Sequence, residues 1–355
     1  MPTPHEILED LKQIKYPGYT RDIVSFGIVQ NIEIASASVT VTLAPGGAKP
    51  EVVDEISTAI RERVHALTGM AQVTVIVQEP ERPRPAEPGR RADIPGIRRI
   101  VAVASGKGGV GKSTVAVNLA LALRALGYAV GLLDADVYGP SVPLMLGLGE
   151  RPRTGEGERI LPLERFGIKV ISLGVFIPEG QPVIWRGPMI TKLLTQFLRD
   201  VDWGRLDVLV LDLPPGTGDA QLTIAQQAPL AGGVIVTTPQ DVALLDVQRG
   251  ITMFNQVNAP VLGVIENMSY HVCSGCGARA EIFGHGGGAR IAEQSGVPFL
   301  GEIPLVRQLR ESMDAGEPIV VAAPDSAESE AFRQIARQVM DEIDRRSETV
   351  LPTVH

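Results

Sequence analysis

Hydrophobic positions along this chain follow two different rhythms. Over the first 78 residues they come at helical spacing or in strict alternation. Pro4 to Ile14 places Ile7, Leu8 and Leu11 on one face of a predicted helix, and Glu51 to Leu67 predicts a second. Ile28 to Ile34, Ser38 to Leu43 (with Val39-Thr40-Val41-Thr42-Leu43) and Ala71 to Val77 predict strands. Residues 1–78 are therefore expected to form a small α+β domain. From residue 98 onward the strands become near-continuous apolar runs, at 99–104, 129–133, 168–173, 206–212, 233–238, 261–265 and 298–302. Helical segments separate them, near 113–126, 188–200, 219–228, 241–257, 287–295 and 327–346. Runs such as Leu206-Asp207-Val208-Leu209-Val210-Leu211 suit strands covered on both faces, so residues 98–348 predict an α/β domain around a parallel, doubly wound sheet. Residues 79–97, with the Pro-rich, charged stretch Glu79 to Pro95, read as a linker, and 349–355 as a disordered tail.

Composition narrows the class. A chain of 355 residues with 44% apolar content has material for two domains with real cores. A net charge of −8, without an extended Lys/Arg run, argues against nucleic acid as the main partner. The start Met-Pro-Thr-Pro-His-Glu lacks the features of a signal peptide. No apolar run approaches the roughly 20 residues that cross a bilayer, so no membrane partner is expected. Two cysteines in all exclude a disulfide framework and fit a reducing cytoplasm.

The chemistry begins at Gly106-Lys107-Gly108-Gly109-Val110-Gly111-Lys112-Ser113, followed by Thr114, which satisfies the phosphate-loop pattern G-x-x-x-x-G-K-[ST]. Its glycines let backbone N–H groups turn inward around phosphates; Lys112 reaches the β/γ-phosphates and Ser113 can ligate Mg²⁺. A predicted strand before it and a helix after it supply the right context. Lys107 is an extra lysine on the loop itself, where it cannot easily curl back onto its own phosphates. Asp134 and Asp136 follow the strand at 129–133, where carboxylates either order Mg²⁺ and an attacking water or cap the next turn. Asp212 closes another buried strand in the Walker-B arrangement and is expected to hold the Mg²⁺ hydration shell. The Pro214-Pro215-Gly216-Thr217-Gly218 loop after it can swing when the γ-phosphate leaves. Asn267, after the strand at 261–265, offers an amide to an adenine edge, although Asn in that place is commonly just a turn residue.

Cys273-Ser274-Gly275-Cys276-Gly277 is a C-x-x-C knuckle that points two thiolates at one metal. A structural zinc or a four-iron cluster needs four ligands. Either His271 and His285 complete the shell, or two chains do; a redox dithiol and idle thiols are the remaining readings.

The K-G-G-x-G-K-[ST] form resembles the deviant Walker A ATPases, a MinD/ParA-like superfamily of nucleotide-sandwich dimers. Within it, Asp134-Ala135-Asp136-Val137-Tyr138-Gly139-Pro140-Ser141, Asp212-Leu213-Pro214-Pro215-Gly216-Thr217-Gly218-Asp219, Trp185-Arg186-Gly187-Pro188-Met189, Phe283-Gly284-His285-Gly286-Gly287-Gly288 and the cysteine pair together resemble the Mrp-type (ApbC/Nbp-like) iron–sulfur carriers. The resemblance implies a P-loop NTPase fold, and a homodimer in which Lys107 crosses to the partner's nucleotide. It implies ATP hydrolysis with Lys107, Lys112 and Asp136 as catalytic groups and Asp134 in support, and base recognition by Asn267. It also implies a labile [4Fe–4S] cluster on Cys273 and Cys276 of both chains, passed to apo-proteins and drawn from an assembly scaffold. Residues 1–78 resemble the SufT/PaaD-like iron–sulfur-assembly domain through Arg21 to Val29. They depart from it at Tyr16-Pro17-Gly18 and at Leu43-Ala44-Pro45-Gly46-Gly47, where its usual cysteine is missing; docking or recruitment is then the expected role. The alternatives are a ParA/MinD-type positioning ATPase, a reductase like nitrogenase iron protein, and a zinc-stapled ATPase dimer. The first is disfavoured by the acidic residues Glu328, Glu330, Asp341, Glu342 and Asp344 of the last helix, and the second by the single cysteine knuckle.

Overall fold

The computed structural model describes residues 2–15, 17, 22–25, 28–34, 38–43, 50–69, 72–77, 94–136, 139–155, 159–176, 187–216, 219–273 and 275–349. Contacts divide the chain into two compact units, Met1–Gly89 and Arg90–His355. Most of the expected linker and the tail at 350–355 lie outside the described residues, as do Tyr16, Gly18 and residues 44–49.

In the first unit, α1 (Pro4–Leu11) begins with a capping box, Thr3 and Glu6 each accepting from the other's backbone. It stops three residues short of the predicted end, and Ile14 then packs from a turn. Strands β1 (Val29–Ile34), β2 (Ser38–Leu43) and β3 (Gln72–Val77) form one sheet, with α2 (Pro50–Thr68) as the crossover that lets β2 and β3 run parallel. The alternation of β2 is literal: Val39, Val41 and Leu43 are buried, against Ile7, Leu11, Ile56, Ile60 and Val64 of the helices. Arg63 of α2 grips Asp10 of α1 through two side-chain hydrogen bonds, at 2.7 and 3.1 Å.

The second unit contains β4 (Ile100–Ala104), α3 (Lys112–Ala125), β5 (Val130–Asp134), α4 (Val142–Met145), β6 (Leu163–Arg165), β7 (Ile168–Ser172), α5 (Gly187–Arg199), β8 (Val208–Asp212), α6 (Asp219–Gln227), β9 (Leu230–Thr237), α7 (Asp241–Gln256) and β10 (Val261–Asn267). After these come β11 (His271–Val272), β12 (Arg279–Ala280), α8 (Gly287–Gln294), β13 (Phe299–Ile303), α9 (Arg307–Asp314), α10 (Ile319–Ala322) and α11 (Ala327–Thr349). The eight-stranded sheet has the order β13-β10-β9-β4-β8-β5-β7-β6. Every pairing is parallel except the β6–β7 edge hairpin, a departure from the all-parallel expectation. Strand β6 escaped the sequence pattern because it is three residues long and partly exposed, so it carries no apolar run.

Strands β4, β5 and β8 are buried at every position. Alternate residues serve opposite faces: Val101 and Val103 join the core under α3 and α11, while Ile100, Ala102 and Ala104 join the core that includes Phe197, Trp203 and Phe254. Trp203 lies fully inside, its indole N–H donating to Phe197 O at 2.9 Å. Ile94 and Ile97, at the end of the expected linker, are buried in that same core. The chain reverses its direction of winding around β4, so the crevice at the carboxyl ends of the central strands opens beside the phosphate loop.

Candidate functional site

The phosphate loop leaves β4 and enters α3 through Gly111, whose φ of 80° and ψ of 25° are left-handed. A Cβ there would stand 2.2 Å from Asn267 Nδ2, so both the backbone conformation and the close approach demand glycine. The helix dipole and the free N–H groups of the first turn of α3, where Ser113 and Thr114 sit half-buried, face the place where phosphates bind. Gly108 and Gly109 are exposed and Gly106 is half-buried, while Val110 is buried and its carbonyl accepts from Asn267 Nδ2 at 2.8 Å. Asn267 is thus a brace on the loop; at 3% exposure it shows little of itself to a base edge in this conformation.

Lys112 reaches back over the strand ends. Its Nζ stands 2.5 Å from Asp212 Oδ1, 3.2 Å from Ser113 Oγ and 3.7 Å from Asp136 Oδ2. The side chains of Lys112, Asp136 and Asp212 are 6%, 12% and 0% exposed, so the ammonium and both carboxylates are withheld from bulk water. Burial raises the Asp212 carboxyl from its ordinary value, against the pull of Lys112. Among the described residues, Asp212 Oδ2 is buried without a hydrogen-bond partner. An orphaned carboxylate oxygen beside the Ser113 hydroxyl fits the hydration shell of Mg²⁺, a hard cation that takes oxygen ligands.

Asp134, expected beside the metal, is held by partners within the chain. It aligns in the sheet with Asp212 of β8 on one side and Ser172 of β7 on the other. Ser172 Oγ donates to its Oδ2 at 2.7 Å and the Asp136 N–H donates to its Oδ1 at 3.1 Å, so the carboxylate is fixed between β7 and the turn that carries Asp136. Burial first, and then the charge of Asp212, push its carboxyl up to about 7. Ser172 also accepts from the Gly174 N–H at 3.0 Å and is itself buried. It is a site residue that the sequence reading missed, since a serine ending a strand carries no motif; only sheet register sets it against Asp134.

The stiff loop after Asp212 is tied to the phosphate-loop strand: Leu213 N–H donates to Val103 O at 3.0 Å and Gly216 N–H to Ser105 O at 2.9 Å. Thr217 and Gly218 lie outside the described residues, as do Val137 and Tyr138, and Trp185 and Arg186. Lys107 is half-buried, and among the described residues it makes no ion pair.

Cys273 and Cys276 sit in the turn of a two-stranded antiparallel ribbon, β11–β12. Both are free thiols, Cys273 partly covered and Cys276 exposed. Cys273 N–H donates to Ala278 O at 2.9 Å and Gly277 N–H to Cys273 O at 2.8 Å, closing the knuckle. The N–H groups of Gly275 and Cys276 hold the Cys273 thiol below the ordinary thiol range. The two histidines weighed as further ligands are engaged elsewhere. His271 Nδ1 lies 2.8 Å from Leu305 O, and His285 Nε2 lies 2.9 Å from Glu302 Oε1. Among the described residues, neither cysteine belongs to a group of three or more side chains able to close on one metal ion.

A phosphate loop with two lysines, on the central strand of a doubly wound sheet, defines a P-loop NTPase of the deviant class. The chain matches the family described as NUBPL iron-transfer P-loop NTPase over residues 96–340, and the iron-sulfur cluster assembly protein family over residues 4–76. It belongs to the iron-transfer P-loop NTPases, with an assembly-type domain in front. It is 56% identical over 249 residues to an iron-sulfur cluster carrier protein of Aquifex aeolicus, covering 70% of this chain and 68% of that one. Against the carrier protein of Synechocystis it is 43% identical over 348 residues, covering 97% and 98% of the two chains. A nucleotide-binding protein of Archaeoglobus fulgidus, solved in complex with ADP, superposes with a TM-score of 0.59 at 40% identity, over 67% of this chain and 93% of that one.

Proposed function

We propose that this chain is an ATP-hydrolysing carrier that works as a homodimer, holds one [4Fe–4S] cluster on Cys273 and Cys276 of both copies, and delivers it to apo-proteins in the cytoplasm. The observation that carries this reading is a two-thiol knuckle that, among the described residues, gathers no further metal ligands, six residues beyond the strand end that braces the phosphate loop. The backbone N–H groups around Cys273 favour its thiolate, and a second copy would supply the missing two thiols. The assembly-type domain, residues 1–78 ahead of the linker at 79–97, would receive scaffold or client proteins.

In this reading the N–H groups of Gly106 to Gly111 and the N-terminus of α3 take the phosphates of ATP, with Thr114 and Asn267 completing the nucleotide site. Lys112 exchanges its carboxylate partners for phosphate oxygens. Ser113 and Asp212 would hold Mg²⁺, which neutralises charge on the β- and γ-phosphates. Asp136, released from Lys112, orients the water that attacks the γ-phosphorus, and Lys107 of a second copy would meet the charge developing there. The cluster is cargo, and the swing of the loop after Asp212 alters the seam where it sits. The pairings in α11 weaken the positioning-ATPase alternative. Arg333 and Arg337 pair with Glu330, and Arg345 and Arg346 with Glu342, leaving a poor surface for anionic lipid. Among the described residues, no helix is long and apolar enough to cross a membrane.

Anaerobic purification with metal analysis tests the reading. A visible iron–sulfur absorption band with about four irons and four sulfides per dimer supports it. Stoichiometric zinc without iron overturns it in favour of a zinc-stapled dimer.

A further inference from the structure

Two strings carry no role in the account so far: Glu266, inside Ile265-Glu266-Asn267-Met268-Ser269, and the turn Phe283-Gly284-His285-Gly286-Gly287-Gly288. The fold joins them. Glu266 is fully buried, yet among the described residues no cation stands within ion-pair distance of it. Three donors hold its carboxylate instead. Ser269 Oγ and the Gly286 N–H reach Oε1 at 2.6 and 3.0 Å, and the Gly288 N–H reaches Oε2 at 2.5 Å. A Cβ on Gly288 would come 3.0 Å from Glu266 Cβ and 3.1 Å from Oε2, so the turn needs glycine to seat the side chain. A buried carboxylate this fully satisfied is costly to disturb, because each lost donor leaves an unpaired charge-bearing oxygen.

Neighbouring side chains on a strand point to opposite faces. At the end of β10, Asn267 therefore goes to the phosphate loop at Val110 while Glu266 goes to the glycine turn. From that turn the contacts continue into the cysteine ribbon. His285 meets Glu302 of β13 and also lies 2.7 Å from Arg279 Nη2, and the Arg279 guanidinium covers the Tyr270 ring at 3.9 Å. Arg279 is the β12 residue paired with Val272, next to Cys273. On the outgoing side, Ser269 N–H donates to Ile303 O at 3.0 Å and Leu305 N–H to Tyr270 O at 2.7 Å. Both strands of the ribbon are thereby fastened to the ends of β10 and β13.

We propose that Glu266 is a positioning residue: seated in its glycine turn, it clamps the cysteine ribbon to the end of β10, so that a displacement of the phosphate loop felt by Asn267 moves Cys273 and Cys276 as well. The inference rests on the carrier reading for its biological use. Its test needs no cluster. The full-length, metal-free protein is treated with a maleimide, with and without a non-hydrolysable ATP analogue and Mg²⁺, and labelling of the two cysteines is followed by mass spectrometry.

In the unsubstituted protein, nucleotide should change the labelling rate by about fivefold or more, the lower end of ordinary site–site coupling. Glu266→Gln places an amide where the carboxylate accepts from backbone N–H groups. It should keep nucleotide affinity and abolish the change. A full nucleotide response in Glu266→Gln overturns the proposal, as does loss of nucleotide affinity in that variant or a labelling rate indifferent to nucleotide in the unsubstituted protein. If Glu266→Gln does not fold, Ser269→Ala removes a single donor and should reduce the response; a full response there is equally fatal. The iron content of the dimer judges the carrier reading separately.

Discussion

Around the phosphate loop, Lys112, Asp136, Asp212, Asp134 and Ser172 are linked by hydrogen bonds and ion pairs within a single chain, at the ends of buried strands. On the ribbon that begins only four residues past Asn267, Cys276 is exposed and Cys273 partly covered, with His271 and His285 in contact with other partners. In the first region the charges are paired within the chain and only Asp212 Oδ2 is left over among the described residues, so in the proposed reading phosphate would enter by exchange, displacing a carboxylate from Lys112. The second presents two thiols in a turn, and in the proposed carrier a ligand would enter it by addition of a second set of thiols from another copy. Buried charge explains the contrast, because an unpaired ammonium or carboxylate inside the sheet would cost several kcal/mol, whereas exposed thiols cost almost nothing while they wait.

Substitutions at four positions test that contrast, from the largest effect to the smallest. Cys276→Ala should bring iron on anaerobic reconstitution down to background while changing nucleotide affinity by no more than about twofold, as a surface change remote from the loop. Normal iron content would remove this cysteine from the ligand set. Lys112→Ala should weaken ATP binding by about 100-fold, the worth of a charge-assisted contact to phosphate, in isothermal titration. It should also lower stability by about 3 kcal/mol, because Asp212 loses its counter-charge, while iron loading on the ribbon persists.

Ser172→Ala strips the donor from a buried carboxylate oxygen at a cost of about 1–3 kcal/mol. Through the loosened Asp136 backbone it should lower kcat for ATP roughly tenfold with KM unchanged, and Ser172→Thr should restore it. The mildest effect is on pH dependence. Asp134 is raised from 3.8 to about 7 in the fold, so its contribution to stability is complete below about pH 4 and is lost as the pH rises through about 7. Asp134→Asn removes that titration. Denaturation midpoints should therefore fall less between about pH 5 and pH 8 in the variant than in the unsubstituted protein.

The elements that the hydrophobic rhythm located are those with continuous burial. β4, β5 and β8 each lie within a residue or two of the apolar runs, and β2 matches its alternation at every position. Those it overlooked are short: β6, α4, α9, α10 and the cysteine ribbon, which span from two to eight residues and are fixed by neighbours instead of by their own pattern. The site divides the same way. Lys112 and Asp212 were legible because a loop motif and a strand-end carboxylate announce themselves. Ser172 was not, nor were the hydrogen bonds that seat Asp134 against Ser172 and the Asp136 N–H. Glu266 stood in a quoted string without a use until the glycine turn was seen to close on it.

Local sequence alone determined the periodicity of the two domains, the phosphate loop and the C-x-x-C knuckle, since each depends on residues within a few positions of one another. Tertiary structure decided which carboxylate meets Lys112, which oxygen of Asp212 stays without a partner, and how the ribbon is joined to the loop. Those contacts, with that of Ser172 to Asp134, link residues 38 to 157 positions apart, and the order and register of the sheet, which no short stretch of chain encodes, bring them to hydrogen-bonding distance.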